Sequence, residues 1–256
     1  MPKQCPKCGY INPDDANYCS KCGYPLQYQP IISTNPPSTP SPTSPNPLQP
    51  DRLSTSFNIL TKNLSIIFPP IIMLIIEVIL LALFGAITAG ISLISPVAFT
   101  VTALIFSIII GIVDAIIFSI TVHTTTYMAR DAVMGAQLNL NNAFTNARNT
   151  LSRLYPIIAI LIVLGILLGL SRSLGLGWII MGLVGVLLYI VSAATILNRP
   201  MSLSETINWY SRAFGVDAGG AVVILIGSLL SLIPIVNIFA IPYTSILTYL
   251  MVRDIS

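Results

Sequence analysis

The stretch SIIFPPIIMLIIEVILLALFGAITA, residues 65–89, carries a single ionisable side chain, Glu77, in 25 positions. An α-helix needs roughly 20 apolar residues to cross about 30 Å of hydrocarbon, so this run is long enough to span a bilayer. Further apolar segments lie at about 97–122, 154–171, 175–197, 219–234 and 237–252. Of 256 residues, 54% are hydrophobic and 8% charged, whereas a soluble domain carries about a quarter charged residues. Mean hydropathy is +0.84. The last two segments are short for the hydrocarbon thickness and contain Pro234 and Pro242, so they read as two spans or as a re-entrant pair. Either way both of their ends lie on one side. The expected fold is an all-α polytopic membrane bundle of about six spans.

The same region reads as three copies of one unit. Leu53, Phe57, Leu60 and Leu64 share their spacing with Leu140, Phe144, Ala147 and Leu151, and with Leu203, Ile207, Tyr210 and Phe214. That spacing lays an apolar stripe along a short helix. Each stripe is followed five residues later by Pro69, Pro156 or Gly219 and then by a hydrophobic hairpin. Ser202 and Glu205 have the spacing of a capping box, and Asn139 holds the matching place in the second copy. The hairpins end alike, in Met128-Ala-Arg130-Asp131, Leu197-Asn-Arg199-Pro200 and Met251-Val-Arg253-Asp254. Each unit is thus expected to be an interfacial amphipathic helix plus a membrane hairpin.

Eleven of the twelve lysines and arginines then fall on one side, Arg172 being the exception. The positive-inside rule places both termini in the cytoplasm, with the body in the cell membrane. The start Met1-Pro-Lys-Gln-Cys5 has no apolar core, so no secretory signal peptide is expected.

A different chemistry precedes the body. Cys5, Cys8, Cys19 and Cys22 have the spacing C-x2-C-x10-C-x2-C, and Gly9 and Gly23 follow the second cysteine of each pair. Two such knuckles facing each other form a tetrahedral sulfur cage suited to a structural Zn2+, and a rubredoxin-like iron site uses the same ligands. Four thiolates leave no open position for catalysis. A segment this short has too little core to fold by burial alone, so the metal must hold it. Thiolate ligands persist in a reducing compartment, which agrees with a cytoplasmic head. Between head and body, residues 30–50 contain eight prolines among Ser, Thr and Asn. This composition reads as a disordered, extended tether reaching up to roughly 60 Å at about 3.1 Å per residue. The expected division is a zinc ribbon at 1–28, a linker at 29–51 and the membrane domain at 52–256.

The C-x-x-C-G knuckles resemble the small zinc-ribbon families found at prokaryotic N-termini. The body, through Leu140-Asn-Asn-Ala-Phe144, Leu203-Ser-Glu-Thr-Ile207 and Ile233-Pro-Ile-Val-Asn-Ile-Phe-Ala-Ile-Pro242, loosely resembles the membrane domain attached to glycerophosphodiester phosphodiesterases and related uncharacterised prokaryotic families. No phosphodiesterase catalytic domain accompanies it, so the resemblance implies no such activity. The pairing of a ribbon with an isoleucine-rich bundle is similar to archaeal membrane proteins.

Two acids, Glu77 and Asp114, lie inside expected spans at similar depth on neighbouring antiparallel helices. Carboxylates there cost about 2.5–3.5 kcal/mol on insertion scales, so they should face the bundle. Asp114 shares a helical arc with Thr100, Ala103, Ser107, Gly111, Phe118, Thr121 and Thr125. The arc reads either as a packing seam of small residues or as a proton or cation path. Gly165-Ile-Leu-Leu-Gly169 reads as a helix-packing motif and admits a homo-oligomer. His123 is expected at the interface, as are Tyr155, Trp178, Trp209 and Tyr210. No nucleophile–base constellation is visible, so no enzyme is expected. A net charge of +3 does not argue for nucleic acid. Two functions follow: a scaffold or adaptor whose ribbon recruits a cytoplasmic protein to the bilayer, or a transporter or channel using Glu77 and Asp114.

Overall fold

The computed structural model describes residues 3–5, 9–13, 16, 19–21, 51–171 and 174–255. The linker 29–50, Lys7, Cys8, Cys22 and Arg172 lie outside the described residues. The chain divides into two compact units, Met1–Gln49 and Pro50–Ser256.

In the first unit, β1 (Lys3–Gln4) pairs antiparallel with β2 (Ile11–Asn12), with Lys3 opposite Asn12 and Gln4 opposite Ile11. The second unit is built from helices α1 (Arg52–Lys62), α2 (Phe68–Ser92), α3 (Pro96–Val133), α4 (Leu140–Thr150), α5 (Tyr155–Ser171), α6 (Leu174–Ile196), α7 (Leu203–Val216), α8 (Ala218–Leu230) and α9 (Asn237–Asp254). These are three copies of a short helix followed by a hairpin: α1 with α2–α3, α4 with α5–α6, and α7 with α8–α9. Short 3-10 turns, Leu64–Ile67 and Leu151–Leu154, join the short helix to the hairpin in the first two copies. In the third copy Asp217 does this alone, closing α7 and capping α8, where it accepts from the Gly220 N–H.

Local chemistry explains the repeated boundaries. Asp51, Asn139 and Ser202 cap α1, α4 and α7, each side chain accepting a backbone N–H that the first turn leaves without a partner. Ser202 and Glu205 complete the capping box. Helix α3 runs 11 residues past the apolar segment that ends at 122, because no breaker intervenes before Gly135, which sits at φ +66°. There the Ala136 N–H reaches back to the Asp131 carbonyl at 2.8 Å. The Arg199 N–H does the same to Ala194, past Asn198 at φ +55°, so the first two hairpins end in the same left-handed cap.

Each short helix turns only part of its apolar stripe outward. In α1 the face buried against the protein is Arg52, Ser56 and Leu60, whereas Phe57 is 59% exposed. Helix α4 buries Ala143 and Ala147 and exposes Phe144, and α7 buries Thr206, Trp209 and Ala213 and exposes Ile207. An apolar face unpartnered by protein on each of three short helices is what an interfacial helix presents to lipid.

The second helix of each hairpin lies inside. Buried side chains concentrate at Phe118–Ala132 of α3, Val186–Ile196 of α6 and Ile241–Val252 of α9. The outer halves of α2 and α3 stay apolar and exposed, as at Ile79, Leu81, Val97 and Val101. Four helical stretches among the described residues are long and apolar enough to cross a membrane: Leu64–Ser92, Pro96–Val133, Leu140–Leu170 and Gly177–Ile196. Each of the six expected apolar segments contains a helix, but in 219–234 the helix α8 ends at Leu230 and has only 13 residues, about 20 Å. That is well short of the roughly 30 Å hydrocarbon core. The turn after it is apolar and exposed, with Ile235 at φ +71° and 70% exposed, an unusual conformation for a β-branched residue.

Candidate functional site

The ribbon unit is held by its own turns. The Cys5 N–H donates to the Tyr10 carbonyl at 2.9 Å, and the Gly9 N–H donates to the Cys5 carbonyl at 2.9 Å. Gly9 sits at φ +72°, so the glycine after the C-x-x-C pair has the left-handed geometry its position requires. Asn12, 1% exposed, accepts from both the Ser20 N–H (2.9 Å) and the Ser20 hydroxyl (3.0 Å), which ties the second knuckle to β2. Cys5 and Cys19 are buried at 1% and 3% exposure. Lys21 places its ammonium 5.9 Å from the Tyr10 ring centre. The turn geometry and two inward thiols fit a sulfur-bound metal. Cys5, Cys8, Cys19 and Cys22 would hold it, and its chemistry there is structural.

In the membrane unit, Glu77 and Asp114 come within electrostatic reach of each other across α2 and α3, both half-buried. Among the described residues neither makes an ion pair or a hydrogen bond. The arc that contains Asp114 does not form one continuous path. Gly111 meets Gly165 backbone to backbone, so a Cβ on Gly111 would stand 2.5 Å from the Gly165 carbonyl oxygen. One turn earlier, the Ser107 hydroxyl donates to the Gly169 carbonyl at 3.0 Å. This half of the arc is a seam between α3 and α5, and it uses the Gly165–Gly169 motif within the chain.

Several sequence expectations change here. His123 is fully buried, because α3 continues into the protein. Its Nε2 lies 2.9 Å from the Thr150 hydroxyl, which also meets the Tyr127 hydroxyl at 3.0 Å. Trp209 is buried too, and its indole N–H donates to the Ile255 carbonyl at 2.8 Å. Tyr155 and Trp178 remain exposed at 60% and 43%.

Two features escaped the sequence reading. Arg52, 9% exposed, binds Asp217 at 2.9 Å and Asp254 at 3.2 Å, joining the first helix-plus-hairpin copy to the third. In the sequence Arg52 is one of the eleven basic residues on the expected cytoplasmic side. Its two acids stand 165 and 202 residues away, so no local pattern reveals the pairing. The second feature is a set of buried hydroxyls without partners on the three inner helices: Thr124 and Thr125 of α3, Ser192 and Thr195 of α6, and Thr244, Ser245 and Thr248 of α9. Helical Ser and Thr commonly donate to the carbonyl four residues back, as Thr126 does to Val122 and Ser119 to Ala115. The Ser/Thr density was visible in sequence, but not which hydroxyls would lack partners.

No curated protein and no solved structure matches the chain. Residues 4–26 match the model of the zinc-ribbon domain family. The protein therefore carries an N-terminal zinc ribbon ahead of a helical membrane domain.

Proposed function

We propose that this is a non-enzymatic membrane scaffold whose zinc ribbon recruits a cytoplasmic protein to the bilayer. The observation that carries the reading is the division of the chain into a ribbon-bearing unit, Met1–Gln49, and a helical unit, Pro50–Ser256. A metal-held head with its own hydrogen bonds, joined by a proline-rich segment, has the parts of a capture device. A tether raises the local concentration of whatever the head binds. In this reading both termini are cytoplasmic, the membrane is the cell membrane, and Zn2+ occupies the four cysteines. Crosslinking in cells, comparing the full chain with its Cys5→Ser, Cys8→Ser form at matched membrane levels, tests it. A protein captured only by the unsubstituted chain is expected. Identical capture by both forms contradicts the proposal.

A second reading, proton or cation movement past Glu77 and Asp114, is favoured by the proximity of these two acids. It is also favoured by the unpartnered hydroxyls, which begin about 15 Å further along α3 at Thr124. It requires that Glu77→Gln with Asp114→Asn stop ion flux in liposomes while leaving the helical content intact. Unchanged flux in that double variant rules it out.

A further inference from the structure

The helical unit sorts its basic side chains into two classes. Arg52, Arg130 and Arg253 each hold an aspartate at 2.7–3.2 Å. Lys62, Arg148, Arg153, Arg199 and Arg212 are exposed, and among the described residues none of them makes an ion pair or a side-chain hydrogen bond. No described acid of the unit is left to serve them. Asp131, Asp217 and Asp254 are taken by the first class. Asp51 and Glu205 cap α1 and α7, and Glu77 and Asp114 lie within the apolar stretches of α2 and α3. The counter-charge for the five cations therefore comes from outside the unit.

All five belong to one end of the unit. Arg52 at the start of α1 binds Asp254 at the end of α9, the Trp209 indole of α7 donates to the Ile255 carbonyl, and Thr150 at the end of α4 meets Tyr127 near the end of α3. Short helices and hairpin ends thus share that end. Lys62, Arg148 and Arg212 lie in the second halves of α1, α4 and α7, Arg153 in the turn after α4, and Arg199 just past α6. Large apolar side chains lie open beside them. Lys62, Arg153 and Arg212 each stand two residues before one, at Leu64, Tyr155 and Phe214, and Arg148 stands one turn after Phe144. A free cation beside an exposed apolar side chain, repeated in each copy, suits the boundary between hydrocarbon and headgroups. There the stem of a Lys or Arg lies along apolar groups while its charge reaches outward.

We infer that these five cations bind the headgroups of anionic phospholipids, so that the three short helices gather a rim of anionic lipid around this end of the bundle. Dissolved counter-ions match the charges but leave Leu64, Tyr155 and Phe214 in contact with water. An anionic lipid supplies the phosphate and the apolar surface at the same depth.

The test places the full chain in phosphatidylcholine vesicles with a trace of spin-labelled phosphatidylglycerol or spin-labelled phosphatidylcholine. Electron spin resonance reads the fraction of each held at the protein. A Lys or Arg near the headgroups favours anionic lipid about fivefold at its own site. Phosphatidylglycerol should therefore be held severalfold more strongly than phosphatidylcholine, and the preference should shrink as salt is raised. The combined variant Lys62→Gln, Arg148→Gln, Arg153→Gln, Arg199→Gln, Arg212→Gln should abolish it. Arg212→Gln alone should lower it, whereas Arg253→Gln, which removes the same charge from an ion-paired position, should leave it unchanged. That pair keeps the test decisive if the combined variant fails to fold. Equal retention of the two lipids overturns the inference, and is the result expected of a surface that serves an acidic protein instead. A preference that survives the combined variant overturns it as well. So does an equal loss in Arg212→Gln and Arg253→Gln, because net charge alone then accounts for the preference.

Discussion

Arg52 shows how one side chain closes the molecule. Its guanidinium is nearly buried between Asp217 and Asp254, each about a quarter exposed. Replacing it by methionine keeps the stem's packing but leaves two carboxylates facing each other. Loss of one partner from a fully buried pair costs about 3–5 kcal/mol, and the exposure of the two aspartates reduces this to about 1–3 kcal/mol. Arg52→Met should therefore lower the melting temperature in detergent, and Asp217→Asn, which leaves Asp254 paired, should lower it less. Equal melting of all three forms would remove Arg52 from the account. At the α3–α5 crossing the controlling group is a missing one. A methyl on Gly111 would meet the backbone of Gly165, not a side chain that rotates aside. Gly111→Ala should therefore cost about 1–3 kcal/mol, while Gly85→Ala, which meets open space, should be neutral in the same melt.

Among the elements, the short helices were legible in sequence and the faces they bury were not. The stripe Leu53, Phe57, Leu60 and Leu64 predicts a helix correctly, because its period is that of a helix. The face packed on protein is the Arg52–Ser56–Leu60 row, which shares only Leu60 with that stripe. In a membrane protein the most apolar face belongs to lipid, so amphipathicity locates the helix but not its protein contact. The cap of α7 offers a direct test. Ser202→Ala should cost about 1 kcal/mol. Hydrogen bonds from the Ser202 N–H and hydroxyl hold the Glu205 carboxyl below its ordinary value of 4.5. A lowered folded-state value stabilises at pH above 4.5 and loses that contribution as pH falls through the folded value. The melting difference between Ser202→Ala and the unsubstituted chain should accordingly be full at neutral pH and shrink in acid. A difference that grows in acid would contradict the capping geometry. The length of α8 makes a further prediction: the apolar turn at Ile235 stays within the bilayer. An environment-sensitive dye on Ile235→Cys should report an apolar setting and resist a water-soluble quencher from both sides. Quenching from either side would make α8–α9 a full span or a surface hairpin.

At the scale of the whole molecule, the bundle was readable because hydropathy, period and repeat all pointed one way. The repeat predicts three helix-plus-hairpin units, and α1–α9 are arranged in that order. Packing order was not readable. Which helix of each hairpin lies inside depends on contacts between the copies, where Met128 of α3, Ile190 of α6 and Leu247 of α9 join one buried cluster. Similarly, the spacing of Cys5, Cys8, Cys19 and Cys22 predicts the ribbon, and residues 4–26 match that domain family. The Asn12–Ser20 contact that ties one knuckle to the sheet carries no local signature. Glu77 and Asp114 were legible as neighbours from their depth alone, while the seam of Ser107 and Gly111 with α5 required the structure.

A ribbon that acts as a recruiting head, as proposed above, must be energetically separate from the bundle that anchors it. The most direct measurement strips zinc from the full chain in vesicles with a chelator while following bound metal, partner capture and the helical melt by circular dichroism. Loss of metal and of partner capture with an unchanged helical melt is expected. A helical melt that falls as the metal leaves would contradict it and make the ribbon a structural part of the membrane domain.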